Sequence, residues 1–265
     1  MTKIIGILNL TLDSFSDGGM YYDLKSAKKH IAEMVDHGAD VIDVGAESTR
    51  SGFTDVDEDA QIETLLPVIE YMSEHSDVEL SIDTRSSKVA ARFKSNNISY
   101  INDVSSGTHD ENMCEVVSSL GCKFIITHMP SEHKVGSIKK FDNILDEIKR
   151  YFSERIEVCI KSGIYEENII IDPGVGFGKS GADNMTLLTN IKYLQNIHKH
   201  VCIGSSNKRF SSKLFEEVRT KDDMKIANLA CFTASKLSNV SFLRVHDVGL
   251  TNDAVKIIDK AKSLM

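Results

Sequence analysis

Short apolar runs alternate along the chain with segments of helical periodicity. Each run is rich in β-branched residues and ends in or next to a polar residue, and the apolar positions that follow repeat every three or four residues. This pattern predicts eight strands, each followed by a helix. The predicted strands are IIGIL (4–8), DVIDV (40–44), ELSID (79–83), ISYIN (98–102), KFIIT (123–127), NIIID (168–172), VCIGS (201–205) and SFLRV (241–245).

The helices between these runs are predicted from their apolar stripes. Ile31, Met34 and Val35 repeat at helical spacing before Gly38, a residue type that commonly ends a helix. Farther along, one stripe of four residues predicts a single helix before the seventh strand, formed by Leu187, Leu188, Ile191 and Leu194.

Strands that alternate with single helices pair in parallel through right-handed crossovers. Eight such units in 265 residues match the size of a (β/α)₈ TIM barrel, an α/β fold, and we expect residues 1–265 to form one domain. A doubly wound open sheet is the alternative. It would need a glycine-rich fingerprint directly after the first strand, where the chain reads NLTLDSF. The sequence therefore favours the barrel.

Polar side chains follow every predicted strand. In a (β/α)₈ barrel all carboxyl ends of the strands face one mouth, where active sites are built. A single Asp or Asn in such a place is usually a helix N-cap, and Asp103 and Asp110 fit that role. A mixed set at eight ends predicts a site instead. Its members are Asn9, Asp43, Glu47, Ser48, Thr49, Arg50, Asp83, Asn102, His128, Asp172, Phe177, Lys179, Ser205, Ser206, Asn207, Lys208, Arg209, Arg244 and His246.

The charges at the predicted mouth indicate the chemistry of its ligand. The chain has a net charge of −8, yet Arg244 and His246 stand two residues apart on one strand, so both point to the same face. Such a cation pair indicates an anionic group on the ligand. Asp83 and Asp172 are costly to bury unpaired and would accept paired N–H groups of a planar nitrogen heterocycle, with Asn102 as donor and acceptor.

Composition excludes several classes of function. The negative charge argues against a nucleic-acid partner, and no apolar run reaches the ~18 residues of a membrane span. No basic segment followed by an apolar one marks a secretory leader. The five cysteines are scattered without a C-x-x-C pair, which is typical of reduced thiols. We therefore expect a soluble, cytoplasmic protein.

Two partial motifs point elsewhere and are weak. The segment DPGVGFGKS (172–180) contains G-K-S, but a P-loop requires glycine where Pro173 stands. Its glycines would instead let the backbone approach a ligand, with Phe177 as a flat wall for an aromatic substrate. His128 and His133 suggest zinc, but no third ligand has suitable spacing.

In this order, the strand-end segments resemble dihydropteroate synthase. The resemblance implies a (β/α)₈ barrel that acts as a homodimeric transferase of folate biosynthesis, the target class of sulfonamides. It would join (7,8-dihydropterin-6-yl)methyl diphosphate to 4-aminobenzoate with the help of Mg²⁺ and release pyrophosphate. The matching segments cover nearly the whole chain and are GILNLTLDSFSDGG, GADVIDVGAESTRSG, SIDT, IND, HM, IDPGVGFGK, SSNKRF and RVHDV.

The resemblance also implies a role for individual residues. The metal would bind Asn9, and two loops, 14–19 and 47–52, would close over the substrates. Asp17, on the first loop, would stabilise a pterin methylene cation during catalysis. Lys208, Arg244 and His246 would complete the catalytic set, in which the cations neutralise the charge that develops on the leaving diphosphate. The pterin would be held by Asp83, Asn102, Asp172 and Lys208, the diphosphate by Arg50, Arg244 and His246, and the aminobenzoate by Thr49, Phe177, Ser206 and Arg209.

Three positions depart from the family pattern. Leu12 and Ser51 stand where proline is common, which predicts less rigid loops, and Asn207 stands where arginine is common, beside the aminobenzoate pocket. We therefore expect altered sulfonamide sensitivity. Two alternatives remain: the pterin-binding barrel of folate-dependent methyltransferases, against which SSNKRF and RVHDV argue, and a pterin-binding protein without turnover.

Overall fold

The computed structural model describes residues 2–10, 24–47, 56–130, 138–206, 208 and 220–264. Eight strands lie within two residues of the predicted bounds because each apolar run carries its own local signal. They are β1 (Lys3–Asn9), β2 (Val41–Gly45), β3 (Glu79–Asp83), β4 (Tyr100–Asp103), β5 (Lys123–Thr127), β6 (Ile169–Asp172), β7 (Cys202–Ile203) and β8 (Phe242–Val245).

The strands form one parallel sheet whose two ends meet. Their order is β6-β5-β4-β3-β2-β1-β8-β7, and an isolated parallel bridge between Ile171 and Val201 joins the last strand to the first. The N–H of Ile171 donates to the carbonyl of His200 at 3.0 Å. This distance is typical of a backbone hydrogen bond between strands. The predicted (β/α)₈ barrel is confirmed.

Helices follow the strands, and most were predicted from their apolar stripes. The described helices are α1 (Leu24–Asp36), α2 (Glu58–His75), α3 (Ser87–Arg92), α4 (Met113–Leu120), α5 (Ile144–Lys161), α6 (Gly181–Thr189), α7 (Ile191–Ile197), α8 (Lys221–Leu237) and α9 (Val248–Lys262). In the described part of the chain, none is long and apolar enough to cross a membrane.

The prediction of a single helix before β7 was wrong. The stripe is split between α6 and α7 at Asn190, whose backbone leaves the helical region at φ −115° and ψ 36°. The Asn190 side chain donates to the carbonyl of Thr186 at 2.8 Å, so it satisfies one of the carbonyls that the end of α6 leaves without an intrahelical partner.

Two apolar clusters hold the barrel together. Alternate strand residues point outward and pack under the helices, while the others point inward. The inward layer sits two residues before the polar strand ends in most strands, so it forms a solid floor beneath the mouth. Its members are Ile5, Val41, Tyr100, Ile125, Ile170, Cys202 and Phe242.

Candidate active site

The ends of β2, β3, β4 and β8 place two carboxylates around one guanidinium. Arg244 donates from Nε to Oδ2 of Asp43 at 2.7 Å and from Nη2 to Oδ2 of Asp83 at 2.6 Å. The side-chain amide of Asn102 donates to the same Asp43 oxygen at 2.9 Å. The structure therefore brings four residues of the predicted mouth, Arg244, Asp43, Asp83 and Asn102, into one hydrogen-bonded cluster.

Asp43 lies at the centre of this cluster; the sequence analysis included it in the predicted mouth but assigned it no ligand. Its side chain is fully buried, and it accepts from both Arg244 and Asn102. A signal was present: Asp43 interrupts the apolar run DVIDV, and a carboxylate inside a buried strand must be paired. Its partner, 201 positions away, could not be read from local pattern.

The cluster changes the proton affinity of its members. Burial raises the pKa of Asp83 to about 7, against the lowering effect of Arg244 and with further raising by the charges of Asp43, Asp103 and Glu47. Burial alone would lower the pKa of Arg244, but Asp43 and Asp83 raise it above its usual range. Arg244 therefore stays cationic, whereas Asp83 changes charge near neutral pH.

A second group of predicted residues lies at the ends of β6 and β7. Asp172 is buried, and its Oδ1 accepts from the N–H of Gly174 at 2.8 Å. Burial raises the pKa of Asp172, while the Gly174 N–H, Lys208 and Arg244 lower it. The Nζ of Lys208 lies 3.5 Å from the centre of the Phe177 ring. These predicted pterin and aminobenzoate residues thus share one side of the mouth.

Gly204 lets the two groups approach each other. A β-carbon at Gly204 would lie 3.3 Å from Oδ2 of Asp172 and 3.8 Å from the β-carbon of Arg244. The distance to Asp172 is shorter than most β-carbon contacts in proteins. Because Gly204 has no side chain, the space between the Asp172 carboxylate and Arg244 stays open.

His246 and Ser206 are in contact. The Nδ1 of His246 lies 2.9 Å from Oγ of Ser206, which also accepts from the backbone N–H of His246 at 3.3 Å. The sequence analysis assigned His246 to the diphosphate and Ser206 to the aminobenzoate. The structure therefore brings these two residues together near the ends of β7 and β8.

Asn9 and Glu47 occupy the rim above β1 and β2. Asn9 ends β1 in register with Gly45, and it is half-buried. Glu47, at the start of the predicted loop 47–52, accepts two bonds from Arg85 at 2.9 and 2.7 Å. Arg85 was not predicted. This bidentate pair holds the Glu47 carboxylate two residues after the end of β2.

His128 and Lys179 are buried beside the Asp172 group. Burial lowers the pKa of His128 to about 2, with Lys179 adding to the effect, so the imidazole is neutral. Its ring packs edge-on against Tyr151 with centroids 4.8 Å apart. His128 thus packs against Tyr151 as a neutral ring, while Lys179 bonds to backbone carbonyls at the mouth.

Several residues named in the sequence analysis lie outside the described part of the chain. Four carry individual predicted site roles, namely Asp17, Thr49, Arg50 and Arg209, and Ser48 belongs to the predicted set at the strand ends. Four others are the family departures Leu12, Ser51 and Asn207 and the histidine His133. Their predicted roles stay predictions.

Known proteins are similar to this chain in both sequence and architecture. Residues 5–246 match the pterin binding enzyme family. The chain is 34% identical to dihydropteroate synthase from Clostridium beijerinckii over 97% of its own length and 93% of that relative. Dihydropteroate synthase from Xanthomonas albilineans, solved with 4-aminobenzoic acid, superimposes with a TM-score of 0.91 at 31% identity and covers 99% of this chain and 93% of that one.

A further solved structure was determined in the presence of a different small molecule. Dihydropteroate synthase from Clostridium difficile, determined in the presence of pteroic acid, has a TM-score of 0.89 at 34% identity, covering 98% of this chain and 96% of that one. The similarity extends over nearly the full chain. It agrees with the structure, in which the mouth of the barrel carries acids, an amide and cations. The chain belongs to the dihydropteroate synthase family of pterin-binding transferases.

Proposed function

We propose that this protein condenses (7,8-dihydropterin-6-yl)methyl diphosphate with 4-aminobenzoate, giving 7,8-dihydropteroate and pyrophosphate. The observation that carries the proposal is the cluster of Asp43, Asp83 and Asn102 around Arg244, facing Asp172 across Gly204. Relatives of the same fold have been solved with pteroic acid and with 4-aminobenzoic acid.

The buried acids and the amide suit the pterin. A pterin ring carries N–H donors and acceptors along one flat edge, and carboxylates and carboxamides read such edges through paired hydrogen bonds. We assign this edge to Asp83, Asn102 and Asp172, with Lys208 closing the pocket. Each of these groups is already held by a protein partner, Asp83 by Arg244, Asn102 by Asp43 and Asp172 by the Gly174 N–H, so they would meet the ring in fixed orientations.

The cations suit the diphosphate. A guanidinium has five N–H donors, and the bonds of Arg244 to Asp43 and Asp83 engage two of them in a fixed orientation. We assign its outer edge, together with His246 and Arg50, to the phosphate oxygens. A cation that is already oriented loses little entropy when the leaving group develops charge.

The donor set at Asn9 fits a magnesium ion carried by the substrate. In the described ranges no three His, Cys, Asp or Glu side chains come together as a metal cage. Mg²⁺ commonly binds one or two protein oxygens, several waters and substrate phosphates, and the Asn9 carboxamide oxygen at the rim suits that mode. The bound ion would neutralise charge on the leaving diphosphate.

The reaction we infer is a dissociative transfer. The bond between the pterin methylene carbon and the diphosphate oxygen breaks, and pyrophosphate leaves with the electron pair. The amine nitrogen of 4-aminobenzoate then bonds to the methylene carbon and loses its proton to solvent or to pyrophosphate, so this step requires no strongly basic side chain. We propose that Asp17 stabilises the intermediate cation.

The aminobenzoate would lie beside the pterin methylene group. We place its ring against Phe177, near Ser206, Thr49 and Arg209. The Lys208 ammonium over the Phe177 ring stands at the boundary with the pterin subsite. We also propose that residues 1–265 act as a single domain and that the protein is cytoplasmic. We propose further that it is a homodimer, and size-exclusion chromatography with light scattering would check its molar mass.

The proposal is tested by product formation from purified protein. The protein is incubated with pterin diphosphate, 4-aminobenzoate and Mg²⁺, and 7,8-dihydropteroate is identified by mass spectrometry. Equilibrium binding of pterin diphosphate is measured in parallel. Formation of dihydropteroate supports the proposal, whereas tight binding without product would establish a pterin-binding protein that does not turn over.

A further inference from the structure

A buried ammonium at the mouth has no part in the chemistry assigned above. Lys179 is only 4% exposed. Its Nζ donates to three backbone carbonyls, those of His128 at 2.9 Å, Gly174 at 2.9 Å and Phe177 at 3.2 Å. A lysine ammonium has three N–H donors, so the whole head group is engaged by the backbone. This arrangement offsets the cost of burying the charge.

The first two bonds hold the turn that presents Asp172. The carbonyl of Gly174 accepts from Lys179, while its N–H donates to Oδ1 of Asp172 at 2.8 Å. The φ of Gly174 is +67°, and a β-carbon there would lie 2.0 Å from the carbonyl oxygen of His128. The Gly174 peptide is thus clamped between the ends of β5 and β6, and the clamp orients the Asp172 carboxylate.

The third bond holds the turn where it presents Phe177. Lys179 holds the backbone carbonyl of Phe177. The centre of the Phe177 ring lies 3.5 Å from Nζ of Lys208. Asn184 adds a second anchor: it accepts from the N–H of Gly176 at 2.7 Å and donates to the Lys179 carbonyl at 3.2 Å. One buried ammonium therefore ties the Asp172 side of the turn to the Phe177 side.

We propose that Lys179 is a positioning residue that couples the pterin and aminobenzoate subsites. Its ammonium holds residues 173–178 in one shape, which sets the Asp172 carboxylate and the Phe177 ring at the same time. Lys179 acts through the backbone and touches neither substrate. The inference rests on the proposed function, because that function assigns Asp172 to the pterin and Phe177 to the aminobenzoate.

The charge on Lys179 depends on groups from several elements. Burial lowers its pKa to about 7, Asp172 raises it, Lys208 lowers it, and Asp183 and Glu147 raise it. His128, on the β5 side, stays neutral. When Lys179 loses its proton it has two N–H donors for three carbonyls. We expect affinity for both substrates to decline as the pH rises above about 7 for this reason.

The test separates the two subsites by their KM values. Lys179→Met keeps the length of the side chain and removes the ammonium, and Lys179→Arg keeps a cation and its donors. Phe177→Ala removes the ring of the aminobenzoate wall, against which Lys208 also lies, and keeps the backbone carbonyl that Lys179 binds. Lys199→Met, at an exposed lysine just before β7, is the matched control. KM is measured for each substrate from pH 6 to 9, together with the thermal midpoint of each variant.

We expect Lys179→Met to raise both KM values by about tenfold or more, the effect of losing charged hydrogen bonds. Phe177→Ala should raise the KM for aminobenzoate more than the KM for the pterin substrate, and Lys199→Met should change neither. Lys179→Arg should restore most of the affinity and abolish the decline above pH 7, because a guanidinium keeps its charge there.

Three results would overturn the inference. The first is a folded Lys179→Met protein with wild-type KM values, and the second is a rise confined to one substrate. If Lys179→Met does not fold, the third decides: a Lys179→Arg protein that keeps the wild-type decline above pH 7. A wild-type protein without turnover would contradict the proposed function instead. The same variants are then compared by equilibrium binding of pteroic acid and 4-aminobenzoate.

Discussion

The Nη2 of Arg244 lies 2.6 Å from Oδ2 of Asp83. This bond joins the cation that we assign to the diphosphate to a carboxylate that we assign to the pterin. The two subsites therefore share one charge cluster, in which Asp43 holds the other side of the guanidinium at 2.7 Å. A substitution at either carboxylate should therefore weaken the binding of both the pterin ring and the diphosphate group.

Asp43 should be essential although it need not touch the substrate. Asp43→Asn keeps the shape of the side chain but removes the buried charge that holds Nε of Arg244 and the amide of Asn102. We expect kcat/KM for pterin diphosphate to fall by about ten- to a hundredfold, because bonds to charged groups contribute about 1.5–3 kcal/mol. Steady-state kinetics measure this. Asp253→Asn, at an exposed acid of α9, should be neutral; equal kinetics for both variants would contradict the assignment.

Asp83 should make the affinity for the pterin decrease at acid pH, which we call the acid limb of the pH profile. Its pKa is about 7, so the carboxylate gains a proton below neutral pH and loses an acceptor for the ring. Affinity for the pterin should fall by up to about tenfold per pH unit below 7. Asp83→Asn should bind weakly at every pH and lack this limb. Calorimetric titration between pH 5 and 8 measures it, and an unchanged limb in Asp83→Asn would assign the titration to another group.

The same carboxyl group should also affect stability. A carboxyl whose pKa is raised from 3.8 to about 7 binds its proton more tightly when folded. Its contribution to the free energy of unfolding is therefore present at low pH and is lost as the pH rises through about 7. Urea unfolding of the wild type should show this decrease between pH 4 and 7, and Asp83→Asn should show less of it. A steeper decrease in the variant would reverse the sign and refute the assignment.

Gly204→Ala should damage the mouth without replacing any of its charged residues. The new β-carbon would press on Oδ2 of Asp172 at 3.3 Å. We expect a loss of about 1–3 kcal/mol in the free energy of unfolding and a several-fold higher KM for the pterin. Gly249→Ala, in α9, meets the His37 ring at the same 3.3 Å and is the control for crowding alone. If both variants keep wild-type KM, the space at Gly204 has no role in binding.

The Arg85–Glu47 pair should stabilise the base of the predicted loop 47–52. Its side chains are only 13% and 6% exposed, so removing one partner leaves a nearly buried charge. Arg85→Met should cost about 3–5 kcal/mol in the free energy of unfolding, measured with urea. Lys161→Met breaks an exposed pair with Glu157 and should cause no measurable change. Similar effects from the two variants would mean that burial of the Arg85 pair is unimportant.

The fold was predictable because its signals are local. Each strand of the barrel is an apolar run, and each carboxyl end carries a polar residue, so parallel topology alone brings Asp83, Asn102, Asp172 and Arg244 to one mouth. The helix break at Asn190 was not predicted, because the apolar stripe continues on both sides of it and only the backbone of Asn190 departs from the helix.

The partners within the site could not be predicted in the same way. The bond from Arg244 to Asp43 spans 201 positions, and that from Lys179 to the His128 carbonyl spans 51. Neither separation leaves a periodic trace in the sequence. Lys179 was also read as part of a failed P-loop motif, in which a lysine would bind phosphate, whereas here it binds backbone carbonyls. Side-chain pairing across the barrel therefore had to come from the structure.

The central claim is that the mouth transfers a pterin methylene group to 4-aminobenzoate. The most direct measurement is the amount of pyrophosphate released per dihydropteroate formed by the purified protein with pterin diphosphate, Mg²⁺ and varied aminobenzoate. Our account predicts release that depends on aminobenzoate and equals the dihydropteroate formed. Pyrophosphate released without dihydropteroate, or bound pterin diphosphate with no release at all, would contradict it.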